Sequence, residues 1–379
     1  MAINEFKTIE SIESLEGKYV FLRTSLNVPI KDGLVQDVFR ITQALGTMKY
    51  LLERGARVIL CSHLGKDGTE SLAPVYEVLK KHITVTLSPE VVGATTTALG
   101  NSLKNGEALL LENVRKEAGE MQNDKMFAQE LANLAEIFVN DDFAASHRAH
   151  ASLHAICSFL PSYIGLNCQA EYEQLSKTLN PEHPALFLLG GAKFETKMPL
   201  VEKFLALYDT VFIGGALAND FFKANGYEVG TSLVSEMSLV GSPLLSSEKI
   251  LLPADVVAVK NSIARVTTPE SVEKDESILD VGPETIALLS KHIAAAKTIL
   301  WNGPLGNYEG GFKEQTLACA KLVADAEAYS VVGGGDTVAS IESLGISSKF
   351  GFLSTAGGAM LTFLEDGKLV ALEALKSSK

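Results

Sequence analysis

Arginine, histidine, lysine and asparagine recur at four places in the first half of the chain, each just after a short apolar run. Arg23, Ser25 and Asn27 follow residues 19–22. Ser62, His63 and Lys66 follow 57–61. Glu112, Asn113 and Arg115 follow 108–111. Asn140, Asp141 and Asp142 follow 137–139, with His147, Arg148 and His150 close behind. Arg40 opens the helical pattern between the first two runs. A guanidinium presents a planar fork that matches carboxylate and phosphate oxygens. Any one of these residues alone reads as a surface ion-pair former. Gathered at four strand ends of an acidic chain, they read as a pocket for a small anion.

The second half carries glycine where the first carries charge. Its runs end in Gly190-Gly191-Ala192-Lys193, Gly214-Gly215-Ala216, Gly333-Gly334-Gly335-Asp336-Thr337 and Ser354-Thr355-Ala356-Gly357-Gly358. Each precedes a helical pattern. Glycine lets the backbone approach a ligand, and the free N–H groups of a helix start favour phosphate. One such turn is ordinary helix–sheet packing; four in one domain favour a nucleotide site. None of them fits GxxxxGK[ST] or GxGxxG, which lowers the standing of ordinary P-loop enzymes and dehydrogenases. Lys193 and Lys197 are four apart, a spacing that puts two amines on one helix face and suits a bridging anion. Asp336, in an anion-binding loop, reads either as a helix cap or as a carboxylate holding magnesium on phosphates.

The elements that must position these groups are legible as a pattern. Apolar runs at 19–22, 57–61, 108–111 and 137–139 alternate with helical periodicity, such as Ile41, Leu45, Met48 and Leu52 before Gly55. The second half repeats the plan with runs at 185–189, 210–213, 256–259, 298–301, 330–332 and 351–353. Near-continuous apolar strands between helices predict parallel sheets covered on both faces. Ligands of such sheets bind beyond the carboxyl ends of the strands, where the residues above stand. A helix is predicted over 169–179, stopped by Asn180-Pro181 and Pro184, with a domain boundary near Asn167.

Composition sets the limits. The chain has 379 residues, enough for two or three domains. Lys and Arg number 33 against 46 Asp and Glu, a net charge of −13, which argues against nucleic-acid binding. No apolar run approaches the roughly 18 residues of a membrane span, and no signal peptide is evident. The four cysteines form no CxxC pair. A Cys157–Cys168 disulfide is conceivable, but reduced buried thiols in a cytoplasmic protein are the expectation. The histidines between 147 and 154 lack the glutamate or cysteine of a zinc site, and Arg148 stands among them.

Taken in order, these blocks resemble phosphoglycerate kinase. They are Arg23–Pro29 with Arg40; Ser62-His63-Leu64-Gly65; Leu111-Glu112-Asn113-Val114-Arg115; Val139-Asn140-Asp141 with His147-Arg148-Ala149-His150; and the glycine turns of the second half. To these are added Gly226-Tyr227-Glu228-Val229-Gly230, Leu252-Pro253-Ala254-Asp255-Val256, Asp280-Val281-Gly282-Pro283 and Trp301-Asn302-Gly303-Pro304. The resemblance implies an α/β fold of two Rossmann-like three-layer lobes, each a parallel sheet with helices on both faces, joined by an interdomain helix. The lobes would be a phosphoglycerate-binding one (1–167), a hinge (168–184), a nucleotide-binding one (185–355), and a tail (356–379) returning to the first.

It also implies reversible phosphoryl transfer between ATP and the carboxylate of 3-phosphoglycerate, with Mg2+ as cofactor, in a cytoplasmic monomer. Ser25, Asn27, Arg40, His63, Lys66, Arg115 and Arg148 would bind phosphoglycerate. Gly191, Lys193, Lys197, Gly214, Gly215, Asn302, Pro304, Glu309, Gly333, Gly334, Gly335, Asp336 and Thr337 would bind nucleotide, with Asp336 on the metal. Arg40, Lys197 and the backbone N–H groups of Gly357 and Gly358 would stabilise the transferring group. Closure of the lobes about 169–179 and 354–355 would exclude water.

This chain departs from the family at Ser25, which stands where the family has aspartate, and at Lys66, where it has arginine. Ala144-Ala145-Ser146 replaces Gly-Thr-Ala, and Ala356 replaces a glycine. The departures motivate a second reading, a related acyl-phosphate-forming kinase with another small carboxylate acceptor. A third reading, a non-catalytic nucleotide binder, is opposed by the joint presence of Lys193, Lys197, Asp336, Arg40 and Arg148.

Overall fold

The structure, a computed structural model, describes residues 5–192 and 194–378. It divides into two compact units, Met1–Glu173 with Asp366–Lys379, and Gln174–Glu365.

The first unit is built on a six-stranded parallel sheet. Its strands are β1 (Tyr19–Thr24), β4 (Arg57–Cys61), β5 (Val85–Leu87), β6 (Ala108–Leu110), β7 (Ile137–Asp141) and β8 (Ser162–Ile164), in the order β5-β6-β4-β1-β7-β8. A hairpin of β2 (Ile30–Lys31) and β3 (Leu34–Val35) follows β1. Helices α1 (Phe39–Glu53), α2 (Ala73–Leu79), α3 (Ala94–Asn101), α4 (Ala118–Met121) and α5 (Lys125–Ala132) supply the crossovers, and α6 (Leu166–Thr178) follows β8. Val20, Phe21 and Leu22 are all fully buried, because both faces of the sheet are covered. Val20, Leu22, Val58 and Leu60 pack with Ile41, Met48 and Leu51 of α1 in one cluster, while Phe21 meets Phe138. Gly55, at φ +79°, lets the chain turn from α1 into β4.

The second unit has its own parallel sheet: β9 (Ala185–Leu189), β10 (Thr210–Ile213), β11 (Ile250–Leu251), β15 (Thr298–Asn302), β16 (Tyr329–Gly333) and β17 (Phe352–Leu353), in the order β11-β10-β9-β15-β16-β17. A separate antiparallel sheet holds β12 (Val256–Lys260), β13 (Ile263–Thr267) and β14 (Ser277–Val281). The helices are α7 (Met198–Leu207), α8 (Ala216–Ala224), α9 (Pro283–Ala295), α10 (Glu314–Asp325), α11 (Gly335–Ser343) and α12 (Gly358–Asp366); α13 (Val370–Lys376) follows.

The α/β class and the parallel sheets agree with the sequence reading. One strand is placed differently. Residues 256–259 were expected in the repeating parallel plan but form β12 of the antiparallel sheet. The cause is local: Asn261 and Ser262 take φ of +50° and +65°, a two-residue hairpin turn that sends the chain straight back as β13. The helix expected to carry Lys197 starts later: α7 begins at Met198. Residues Phe194–Thr196 form a 3-10 turn, and Lys197 is the N-cap of α7. Lys193 itself lies outside the described residues. All four cysteines are buried and free, so Cys157 and Cys168 are not joined.

The predicted helix after β8 is α6, and its start is fixed by a buried carboxylate. Asp141, the last residue of β7, accepts the amides of Asn167 and Cys168 through Oδ1 at 2.9 and 3.0 Å. The division between the units falls within α6. Burial pushes the Asp141 carboxyl up to about 7, against these hydrogen bonds. A folded-state value above the unfolded one means the folded protein binds the extra proton, so this group's contribution to stability falls as pH rises from about 4 to 7. Asp141→Asn, which fixes a neutral side chain, is therefore expected to gain stability relative to the parent as pH rises. Urea unfolding at about pH 4.5 and pH 8 measures the difference; equal differences at both pH values would refute it.

Candidate functional site

Four strand ends of the first unit meet at one polar cluster. Arg23, at the end of β1, is fully buried. Its Nη1 donates to Asp142 Oδ2 at 2.6 Å and its Nε to Ser152 Oγ at 2.9 Å, while Nη2 lies 3.0 Å from His63 Nδ1. Ser152 in turn donates its hydroxyl and its amide to the buried Glu120 carboxylate, at 2.7 and 2.9 Å.

Above this base the predicted residues form a second layer. Arg40 Nη1 donates to the Asn27 carbonyl at 2.8 Å, and the Gly65 amide donates to Asn27 Oδ1 at 3.0 Å. Arg115 Nη1 donates to the Gly65 carbonyl. Arg148 is exposed and donates through Nε to His147 Nε2 at 3.1 Å. Lys66 is exposed and stands outside this network. Asn27, Arg40, His63 and Arg115 are thus brought together, with Ser25 buried beside them in sequence.

The electrostatics identify what the cluster lacks. Burial lowers the pKa of His63, and Arg23, Arg115 and Arg148 push it lower still. His150 falls to about 4 through burial and the same three arginines. Burial, then Arg148, lowers His147. Arg115 itself is lowered by burial and by Arg148 and Arg23. The buried Nε and Nη2 of Arg115, with Ser25 Oγ and His147 Nδ1, have no hydrogen-bond partner. Unpaired buried donors in a field of like charge call for an anion with several oxygens.

In the second unit the strand ends form a cavity of about 320 Å³. Among the predicted residues, Gly191, Gly215, Pro304, Glu309 and Asp336 line it. Gly214, Lys197, Asn302, Gly333, Gly334, Gly335 and Thr337 do not. Phe222, Leu233, Leu279, Val281 and Leu305 supply an apolar wall suited to a planar heteroaromatic ring. Sequence spacing gave no signal for these, because they come from α8, two separate loops and the antiparallel sheet. Asp280 was missed too. It lines the cavity with its carboxyl pushed up to about 7 by burial, and it receives the amide of Val281 at 2.9 Å.

Glycine here is a steric requirement. Gly215 caps α8 at φ +60°, and a Cβ on it would sit 2.6 Å from the Gly191 nitrogen. Gly334 caps α11, and α12 starts at Gly358, so three helix starts come from glycine turns. Lys197 is buried, donates to the Gly190 carbonyl at 2.7 Å, and is brought down to about 8 by burial. Asn302 is buried, with Nδ2 facing Met360 Sδ at 3.7 Å. The Thr337 hydroxyl is buried without a partner. Burial raises Asp336, and the charge of Glu309 raises it further.

Comparison with known proteins shows the family. The family model for phosphoglycerate kinase matches residues 9–368. The chain is 41% identical over 385 residues to phosphoglycerate kinase of Clostridium beijerinckii, covering 97% of this chain and 98% of that protein. It is 39% identical over 393 residues to that of Azorhizobium caulinodans, covering 98% and 99%. Among solved structures, phosphoglycerate kinase from Coxiella burnetii superposes with a TM-score of 0.83 at 37% identity, covering 98% of each chain. That from Pyrococcus horikoshii OT3 gives 0.85 at 30%, covering 97% and 98%.

Gly215→Ala tests the cavity. Its Cβ has no room against the Gly191 backbone, so the loops must part. Affinity for ADP is expected to fall at least about tenfold and stability by about 1–3 kcal/mol. Affinity for 3-phosphoglycerate should be unaltered. Titration calorimetry with each ligand decides; unchanged ADP binding would remove this turn from the site.

Proposed function

The chain belongs to the phosphoglycerate kinase family and transfers a phosphoryl group between ATP and 3-phosphoglycerate, and on that basis we propose which of its residues do so. Asn27, Arg40, His63, Arg115 and Arg148, with Ser25 and Lys66, hold the phosphoglycerate. The observation that carries this assignment is the set of buried donors, led by Arg115 Nε and Nη2, that lack any protein acceptor. The cavity of the second unit takes the nucleotide, with the base against Phe222, Leu233 and Pro304 and the phosphates toward the glycine turns.

The acceptor is a carboxylate, already ionised when it attacks, so no general base is needed. The protein's work is to align oxygens and offset charge. Arg40, Lys197 and the backbone amides of Gly357 and Gly358 are assigned to the transferring phosphoryl group. Donor and acceptor are held by different units, so transfer needs them brought into line, with α6 and residues 354–355 as the proposed pivots. Water excluded by that closure cannot compete as acceptor.

Magnesium fits the residues present. Asp336 and Glu309 line one cavity, and burial and then the charge of Glu309 disfavour the ionised form of Asp336, which a cation relieves. No group of three or more His, Cys, Asp or Glu side chains suited to a metal occurs among the described residues. One or two carboxylates plus phosphate oxygens is the way magnesium is commonly held. When bound it neutralises nucleotide phosphates, and Asp336 is the residue that would hold it.

We also read the chain as a cytoplasmic monomer that binds neither nucleic acid nor membrane. Four free buried thiols support a reducing compartment. The net charge of −13 opposes nucleic acid, and no helix of the described residues is long and apolar enough to cross a membrane.

A coupled assay with MgATP and 3-phosphoglycerate is the direct test of the whole reading. Within it, Lys197→Ala is expected to lower kcat on the order of 10²–10³-fold. The parent Lys197 is charged below about pH 8, so kcat/KM for nucleotide should fall as pH rises through that value. Lys197→Arg should move the fall to higher pH. A pH profile identical in the parent and the arginine variant would remove Lys197 from the role.

A further inference from the structure

Beneath the phosphoglycerate cluster, Arg23 and Asp142 form a buried pair against His63 that no step above uses. Every nitrogen of the Arg23 guanidinium is engaged: Nη1 with Asp142 Oδ2 and the Thr24 carbonyl, Nε with Ser152, Nη2 with His63. Arg23 is fully buried, so it does not reach a ligand. A guanidinium can only donate. The 3.0 Å contact from Nη2 therefore makes His63 Nδ1 an acceptor. The single ring proton must then sit on Nε2.

We propose that Asp142 is a positioning residue: by anchoring Arg23 it locks His63 as a neutral imidazole whose Nε2–H is the donor offered to the phosphoglycerate anion. The proposal rests on His63 belonging to that site. Asp142 Oδ2 lies 2.6 Å from Arg23 Nη1 and 3.6 Å from His63 Nδ1. Its Oδ1 accepts the Ala145 amide at 3.0 Å, at the turn leading to His147 and Arg148. One carboxylate thus ties together the ends of β1, β4 and β7. Burial raises its pKa, but the charge of Arg23 and the Ala145 amide outweigh this and keep it ionised. Arg115 and Arg148 face His63 from the other strand ends and oppose its protonation, as does Arg23; Asp142 alone favours it. An imidazolium would also set an Nδ1–H against the Arg23 Nη2–H. Binding then adds no proton to His63, and the lone-pair side of the ring is never turned toward the anion.

Long-range 1H–15N correlation of the full-length enzyme reads the tautomer directly, with His63 assigned by its loss in His63→Gln. The expected result is an unprotonated Nδ1 and a protonated Nε2 from about pH 6 to 8. An Nδ1–H tautomer, or an imidazolium at neutral pH, overturns the proposal without need of any variant at Asp142. Adding 3-phosphoglycerate should shift the His63 Nε2 resonance. If the tautomer is as stated but the signal does not move, it is the assignment of His63 to the site that fails.

Asp142→Asn removes the charge and keeps the shape. KM for 3-phosphoglycerate should rise about tenfold, the worth of one charge-assisted hydrogen bond, with KM for ATP within about twofold. The His63 spectrum should become a mixture of tautomers. An unchanged KM for 3-phosphoglycerate, or equal rises for both substrates, overturns the positioning role.

Discussion

Positive charge crowded together and partly withdrawn from water is the constraint on which the first unit depends. Arg23, Arg115 and Arg148 face one another and three histidines, and every histidine in the group is driven toward neutrality. Such a cluster holds only if part of the charge is cancelled within the fold. Asp142 and Glu120, both fully buried, do this at its base, directly and through Ser152. The outer donors are left uncancelled. The cancelled layer is structural, the uncancelled layer is the one proposed to bind the anion, and a parallel sheet delivers both because its strand ends converge on one edge.

The second unit solves a related problem with backbone. Its strand ends are glycines, so the loops approach to distances no side chain would tolerate, as Gly215 and Gly191 show. Helix starts then present amides where the first unit presents guanidinium groups. Charge is sparse and mixed: Lys197 is buried beside the Gly190 carbonyl, while Glu309, Asp336 and Asp280 line the cavity. A lining with three carboxylates accepts a polyphosphate only with compensating cations, so the proposed metal and nucleotide sites pose one electrostatic problem.

Much of the frame was legible because buried parallel strands leave an unmistakable trace. The spans 57–61, 185–189 and 210–213 coincide with β4, β9 and β10. The short strands β5 and β8 escaped, since three residues such as Val85-Thr86-Leu87 carry too little periodicity. The residues proposed to bind the anion were visible because charge at a strand end contrasts with the apolar run before it. Asp280 and the apolar wall of the cavity were not. They reach it through α8, the antiparallel sheet and two separate loops, and nothing in their local sequence marks that convergence. Asp142 was visible as a strand-end residue, but its partnership with Arg23 is a contact across 119 residues of sequence.

These features fit a reaction that needs no proton transfer to its nucleophile. An enzyme that relied on a general base would hold a group near its titration point at the acceptor. Here the groups around the acceptor site are moved away from it: His63 and His150 are held neutral, Asp142 ionised, and Arg23 raised by Asp142 against the effect of burial. Arginines and histidines whose charge stays fixed near neutral pH give the acceptor side a steady electrostatic field, and phosphoryl transfer to a carboxylate depends on such a field and on alignment. The departure at position 25 is intelligible in the same terms. Ser25 brings a neutral, buried hydroxyl without a protein partner, so it adds a hydrogen-bonding group without adding charge. Buried negative charge that steadies Arg23 comes from Asp142, just after β7, where it faces inward and adds no negative charge to the surface proposed to meet the anion.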